Sequence, residues 1–133
     1  MSDLKPKGKR ITLGNEQYGL IFTLNAIDDI QEAFDIDISE LPSLFRDKVD
    51  GETVIPNRGK TKNLCTLLAV LINECIDCEK DLGHPERKHV DARYVGRHIT
   101  ASNWMSMAND ILDSFRDSSP EREEDAVPNA VSE

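Results

Sequence analysis

The strongest pattern of hydrophobic and polar positions lies in the middle of the chain. Its apolar residues recur at steps of three and four: Leu64, Leu67, Leu68, Leu71, Ile72, Cys75 and Cys78. This spacing predicts an α-helix with one continuous apolar stripe. Cys65, Ala69 and Ile76 widen that stripe and leave a narrow polar arc. We therefore expect the helix to be covered on most sides, either as the central core helix or by another chain.

Near the N-terminus the period of the pattern changes to two. Apolar and polar residues alternate over residues 10–13 and again over residues 18–22, with a Gly14-Asn15-Glu16 segment between them. Two alternating runs joined by a Gly/Asn turn predict a β-hairpin. Because a lone hairpin is marginally stable in water, we expect it to pack on helices or to pair with another chain. A second, smaller hairpin is predicted over residues 49–55, around an Asp-Gly turn.

Capping residues predict where the helices begin and end. A Ser, Thr or Asp side chain can accept a backbone N–H of the first helical turn, and proline is tolerated in that turn. The predicted starts are Thr23, the segment 39–42, Thr61 for the long central helix, Asp91 and Ser102. Leu24 is expected to lie on the apolar face of the first of these helices, because Leu24, Ile27, Ile30, Ala33 and Phe34 recur at helical steps. Gly83 followed by Pro85 is expected to end the central helix near Lys80 or Leu82.

These elements predict a mainly α (α+β) fold, an N-terminal β-hairpin followed by a small bundle of about four to five helices. Residues 1–10 are interpreted as a flexible basic arm and residues 11–116 as a single domain. Residues 117–133 are acidic, rich in Pro and Ser, and contain no aromatic residue. Such a segment buries too little apolar area to offset its ordering entropy, so we expect a disordered tail.

Charge and composition narrow the classes of partner. The net charge of −9 disfavours nucleic acid, which requires clustered Lys and Arg, and disfavours an anionic membrane surface. No apolar run reaches the roughly 18 residues that span a bilayer, and the basic N-terminus lacks the apolar segment of a signal peptide. The three cysteines are expected to be reduced and buried.

Candidate chemistry is sparse. Cys75 and Cys78, with His84 and His89, form the one metal-like grouping in the sequence, since such ligands can hold zinc tetrahedrally. Both cysteines, however, extend the apolar stripe, and the Cys-to-His gap is shorter than zinc-finger spacing. We expect no metal and keep this quartet as the alternative. No nucleophile and base, and no carboxylate pair, are placed by the spacing, so we expect neither an enzyme nor a cofactor.

Four segments follow one another in an informative order. A strand–turn–strand leads into residues 22–27, Phe-Thr-Leu-Asn-Ala-Ile, and then come the Leu-rich residues 64–72 and the Val-containing segment 90–99. This order resembles that of the tail assembly chaperones of long-tailed (siphovirus-like) bacteriophages. Those proteins have a Phe-Thr/Arg-Leu-x-Ala-Ile/Leu entry into their first helix, a Leu/Ala-rich helix and a Val-x-x-x-Val/Leu helix. The resemblance covers about residues 11–115. Residues 49–59 and the Cys-rich helix end have no counterpart in it.

The resemblance implies that the protein binds the tape-measure protein, a long, apolar, helical protein, and keeps it from aggregating while the phage tail is built. It also implies recruitment of the tail-tube protein, action in the cytoplasm of the bacterial host and absence from the mature virion; self-association stays open. Helix-in-groove binding would supply the apolar contacts. The residues expected to contact the partner are Leu67, Leu71, Ile76, Trp104, Met105 and Ile111. The alternative is a small helical phage structural, connector or regulatory interaction module without chaperone activity.

Overall fold

The computed structural model describes residues 9–118, which form two hairpins and five helices. This confirms the predicted mainly α (α+β) architecture. In chain order the elements are β1 (Arg10–Leu13), β2 (Glu16–Gly19), α1 (Leu24–Phe34), a 3₁₀ helix (Ile38–Phe45), β3 (Lys48–Asp50), β4 (Thr53–Ile55), α2 (Lys60–Asp81), α3 (Ala92–Arg97) and α4 (Trp104–Ser118).

The N-terminal hairpin packs on the helices. Leu13 pairs with Glu16 across a two-residue Gly14-Asn15 turn, and Gly14 takes the positive φ of 64° that the turn requires. The hairpin buries the side chains of Ile11, Leu13 and Tyr18. The carbonyl of Lys9 accepts a hydrogen bond from the N–H of Leu20 at 2.7 Å. The described part of the chain therefore includes the last two residues of the predicted arm, and the first eight residues of that arm lie outside it.

Helix α1 begins where the sequence predicts. The Thr23 hydroxyl oxygen accepts a hydrogen bond from the N–H of Ala26 at 3.1 Å, which confirms the N-cap. The buried face of the helix is formed by Ala26 and Ile30, whereas Leu24 is 84% exposed. At 3.6 residues per turn, Leu24 lies about 160° around the helix from Ala26. The expectation that Leu24 belongs to the apolar face was therefore wrong.

Helix α2 is the central element, and its own chain surrounds it. It contacts α1, the 3₁₀ helix, β2, α3 and α4. Its buried residues are Leu64, Leu67, Leu68, Ala69, Leu71, Ile72, Cys75 and Ile76. The prediction of a core helix is confirmed, and the elements that cover α2 belong to the same chain.

The two ends of α2 differ in how well they were predicted. Its N-cap is Gly59, which makes no side-chain cap hydrogen bond, so Thr61 as the cap was wrong. At the other end Gly83 has a φ of 95°, its N–H bonds the Lys80 carbonyl, and the N–H of His84 bonds the Glu79 carbonyl, both at 3.0 Å. These two bonds form a Schellman motif and confirm the predicted stop.

The segment between α1 and α2 contains the 3₁₀ helix and the second hairpin. Asp37 caps the 3₁₀ helix through a capping box with Glu40, slightly earlier than the predicted start. Strands β3 and β4 pair antiparallel around a Gly51-Glu52 turn, which confirms the second hairpin. Every residue of both strands is exposed.

The last two helices close the core. The Asp91 carboxylate accepts a hydrogen bond from the N–H of Tyr94 at 2.8 Å and confirms the α3 cap. Helix α4 begins at Trp104 rather than Ser102, and it extends to Ser118, so the first two residues of the predicted tail are helical. The remainder of that tail, residues 119–133, lies outside the described part of the chain.

None of the helices within residues 9–118 combines the length and the apolar character needed to cross a bilayer.

Candidate functional site

The six residues expected to contact a partner separate into two groups. Leu67, Leu71, Ile76 and Ile111 are at most 2% exposed. In this fold they contact their own chain and present no surface to a partner. Trp104 is partly exposed, and Met105 is 57% exposed. The reason for the division is physical, since core packing and partner binding require the same apolar residue types.

Trp104 lines an open groove beside the N-terminal half of α2. The groove has a volume of about 430 Å³, and the segment joining α3 to α4 forms its other side. Its lining residues are Leu64, Cys65, Gly96, Ile99, Ala101 and Trp104, together with the polar Thr61, Lys62 and Thr100. We call this set of residues the Trp104 groove. A volume of this order suits a few large side chains rather than a whole helix.

The chemistry of the Trp104 groove is apolar. Burial raises the pKa of the Cys65 thiol, which favours the neutral thiol over the thiolate. Gly96 packs against it, since a Cβ added at Gly96 would lie 3.5 Å from the Cys65 sulfur. Lys62 is the one charged residue of the lining. An apolar groove of this kind would suit an occupant that matches its shape. A thioether or an aromatic ring would pack well against the Cys65 sulfur and the Trp104 indole.

The sequence did not single out the remaining members of the groove. Leu64 and Cys65 belong to the apolar stripe of α2, and Ile99 follows α3. Their spacing is the same as that of residues that are fully enclosed. No signal in the sequence distinguishes the lining of an open groove from the lining of the core.

A second cleft lies against the N-terminal hairpin and carries charge. Its volume is about 560 Å³, and it is lined by Glu16, Tyr18, Arg87, Lys88, His89, Val90, Asp91, Tyr94 and Arg97. The Arg87 guanidinium bonds the carboxylates of Glu79 at 2.6 Å and Glu16 at 3.1 Å, and it lies 4.5 Å from the centroid of the Tyr18 ring. Through these contacts Arg87 links the N-terminal hairpin to α2.

The same contacts set the ionisation of Glu79. Partial burial acts to raise the pKa of this carboxyl, but the hydrogen bond and positive charge of Arg87 outweigh it, and the pKa lies below its ordinary value. Glu79 therefore stays charged at neutral pH and balances the guanidinium. The Arg87 guanidinium of this cleft is therefore already paired with carboxylates of its own chain.

Two residues of the alternative zinc site, Cys75 and His89, have hydrogen-bond partners within the chain. Cys75 is buried and accepts a hydrogen bond from the N–H of Gly19, and His89 pairs with Asp77 at 2.8 Å. Burial and the neighbouring Glu74 carboxylate raise the pKa of Cys78 to about 11, which disfavours the thiolate that zinc requires. Over residues 9–118, no three His, Cys, Asp or Glu side chains are grouped as a metal site would need.

Large apolar side chains are also exposed outside the groove. They are Leu24, Val49, Val54, Ile55 and Leu82, in addition to Met105. Three of them, Val49, Val54 and Ile55, belong to the second hairpin. The sequence predicted this hairpin but not that its apolar residues would face solvent.

Comparisons of the chain with protein-family models, with curated proteins and with solved structures find no match.

Proposed function

We propose that this protein is a phage tail assembly chaperone that binds the apolar, helical tape-measure protein and keeps it soluble. The observation that supports the proposal best is the Trp104 groove, an open apolar site with the exposed Met105 next to it in sequence. A long apolar helix could place single side chains in such a groove while the rest of its surface makes weak contacts. The order of segments described above provides the second support.

The charge of the chain suits this role. A net charge of −9 disfavours association between complexes and keeps an apolar cargo in solution. On this proposal the protein acts in the host cytoplasm, helps recruit the tail-tube protein and is left out of the mature virion.

The contact surface differs from the one that the sequence suggested. Most of the apolar stripe of α2 is covered by its own chain, so α2 contributes to the proposed contact surface only where its N-terminal half lines the Trp104 groove. The proposed contacts lie instead on the first turn of α4 and the adjoining groove, which retain Trp104 and Met105 from the original set.

Co-expression with a fragment of the tape-measure protein from the same phage tests the proposal. We expect the soluble fraction of the fragment to rise with the wild-type chain and to fall again with Met105→Glu, because a carboxylate cannot be buried against an apolar helix without a large desolvation cost. Met105→Leu is the matched control and should behave as the wild type. A fragment whose solubility is the same with and without this protein would refute chaperone activity.

The enclosure of α2 favours the second candidate, a small helical phage structural, connector or regulatory interaction module without chaperone activity. In that case the fragment would bind without becoming more soluble, or would not bind. A pull-down from the same co-expression separates these two results.

A further inference from the structure

The second hairpin is unusually exposed for a β-structure. Strands β3 and β4 form a sheet with no third strand among the described residues, and Val49 and Val54 are 67% and 57% exposed. A two-stranded hairpin alone is marginally stable in water. At its base Asp47 accepts a hydrogen bond from the N–H of Asn57 at 2.9 Å and pairs with Lys60 at 3.0 Å. The hairpin is thus held in place while its strands remain uncovered.

The outer edge of β3 is better suited to pairing than that of β4. Asp50 and Thr53 flank a two-residue turn, so they form the hydrogen-bonded pair, and the N–H and C=O of Val49 and of Val54 point outward. On β4 the next outward position is Pro56, which has no N–H to donate. No proline interrupts β3 or the residues on either side of it.

The charges on β3 are complementary to those of a second β3 strand that runs antiparallel to it. The strand has a cation, Lys48, on one side of the central Val49 and an anion, Asp50, on the other. In an antiparallel pair of two β3 strands centred on Val49, Lys48 lies opposite Asp50 of the other copy, and Asp50 lies opposite its Lys48. The charges on this edge therefore attract one another in the antiparallel pair.

The other face of the same arrangement is apolar. Val49 pairs with Val54 within each hairpin and would meet Val49 of the second copy across the new edge. Four valines would then form one row across a four-stranded sheet. Directly opposed β-branched side chains and directly opposed pairs of opposite charge both stabilise a sheet. Neither Lys48 nor Asp50 forms an ion pair within residues 9–118, so both side chains are available.

We infer that β3 is a homodimerisation strand, which pairs antiparallel with β3 of a second copy about a two-fold axis through Val49. A two-fold contact is self-complementary by symmetry, and the mirrored charge order supplies that complementarity here. The inference does not depend on chaperone activity, since it concerns the chain alone.

Charge reversal gives a sharp test, read by sedimentation velocity over a concentration series of the full chain. We expect the wild type to dimerise. Lys48→Glu and Asp50→Lys should each weaken the dimer about ten-fold or more, because each change places like charges opposite one another twice. The double variant should regain the dimer. An equimolar mixture of the two single variants should also associate, since the introduced glutamate of one copy then faces the introduced lysine of the other.

Reversals elsewhere provide the controls. Asp29→Lys and Arg93→Glu change the net charge equally at exposed helical positions and should leave the dimer intact. Hydrogen exchange at the Val49 N–H should also slow as the concentration rises. A monomeric wild type, a double variant that stays monomeric, or single variants that associate like the wild type would each overturn the inference.

Discussion

The backbone N–H of Gly19 donates a hydrogen bond to the Sγ atom of Cys75 at 3.1 Å. This bond joins the last residue of the N-terminal hairpin to the central helix, across 56 positions in sequence. It explains why a cysteine on the apolar stripe of α2 is placed where the hairpin ends. The thiol accepts this bond from the hairpin and donates to the Glu79 carboxylate of the same helix at 3.6 Å.

Replacing this acceptor should destabilise the protein. Cys75→Ala leaves the Gly19 N–H without its partner in a buried position, and we expect a loss of about 1–3 kcal/mol in the free energy of unfolding. Urea denaturation followed by circular dichroism measures it. Cys65→Ala is the matched control, because Cys65 is partly exposed and makes no hydrogen bond to the described residues. Equal losses in the two variants would contradict a role for the Gly19 bond.

Asn73 holds the segment between α2 and α3 with both ends of its amide. Its Nδ2 donates to the Val90 carbonyl at 2.9 Å, and its Oδ1 accepts from the Val90 N–H at 2.8 Å. Asn73→Ala should lower the free energy of unfolding by about 1–3 kcal/mol and speed hydrogen exchange at Val90. Asn73→Asp retains the acceptor alone and should protect the Val90 N–H better than alanine does. Unchanged exchange at Val90 in the alanine variant would show that the pairing is unimportant.

Asp47 makes the anchor of the second hairpin dependent on pH. The hydrogen bond from the Asn57 N–H, and then the contact with Lys60, lower the pKa of this carboxyl from its ordinary value of 3.8. Because the pKa of Asp47 is lower in the folded state, its ionised carboxylate stabilises the folded protein at pH values above the ordinary pKa. This stabilisation is lost as the pH falls through the folded-state pKa.

The thermal midpoint of Asp47→Asn should therefore lie below that of the wild type at pH 6, and the difference should shrink as the pH falls below about 4. Thermal melts at a series of pH values measure it. Asp28→Asn, an exposed carboxylate on α1, controls for the change in net charge. A pH-independent difference between Asp47→Asn and the wild type would show that the ionised carboxylate is not the source of the stabilisation.

Ser114 illustrates a core position that the sequence pattern does not reveal. It is fully buried in α4, although hydrophobicity points to its neighbours Leu112 and Phe115, which are only partly buried. Its hydroxyl oxygen accepts a hydrogen bond from the N–H of Lys9 at 3.0 Å, across 105 positions. A polar side chain is tolerated in the core because this distant donor satisfies it.

The sequence by itself determined the elements whose causes are local. Thr23 and Asp91 as caps, Gly83 as a stop and the two hairpins all depend on hydrogen bonds or periodicities that extend over a few residues, so the spacing of residues suffices to predict them. Only the tertiary structure decided which apolar residues are enclosed and which face solvent. Leu67 and Ile111 are inside, while Met105 and Val49 are outside, yet all are apolar residues at regular spacings. Packing between distant segments assigns those places, because the same side chain gains free energy by leaving water whether its own chain or another covers it.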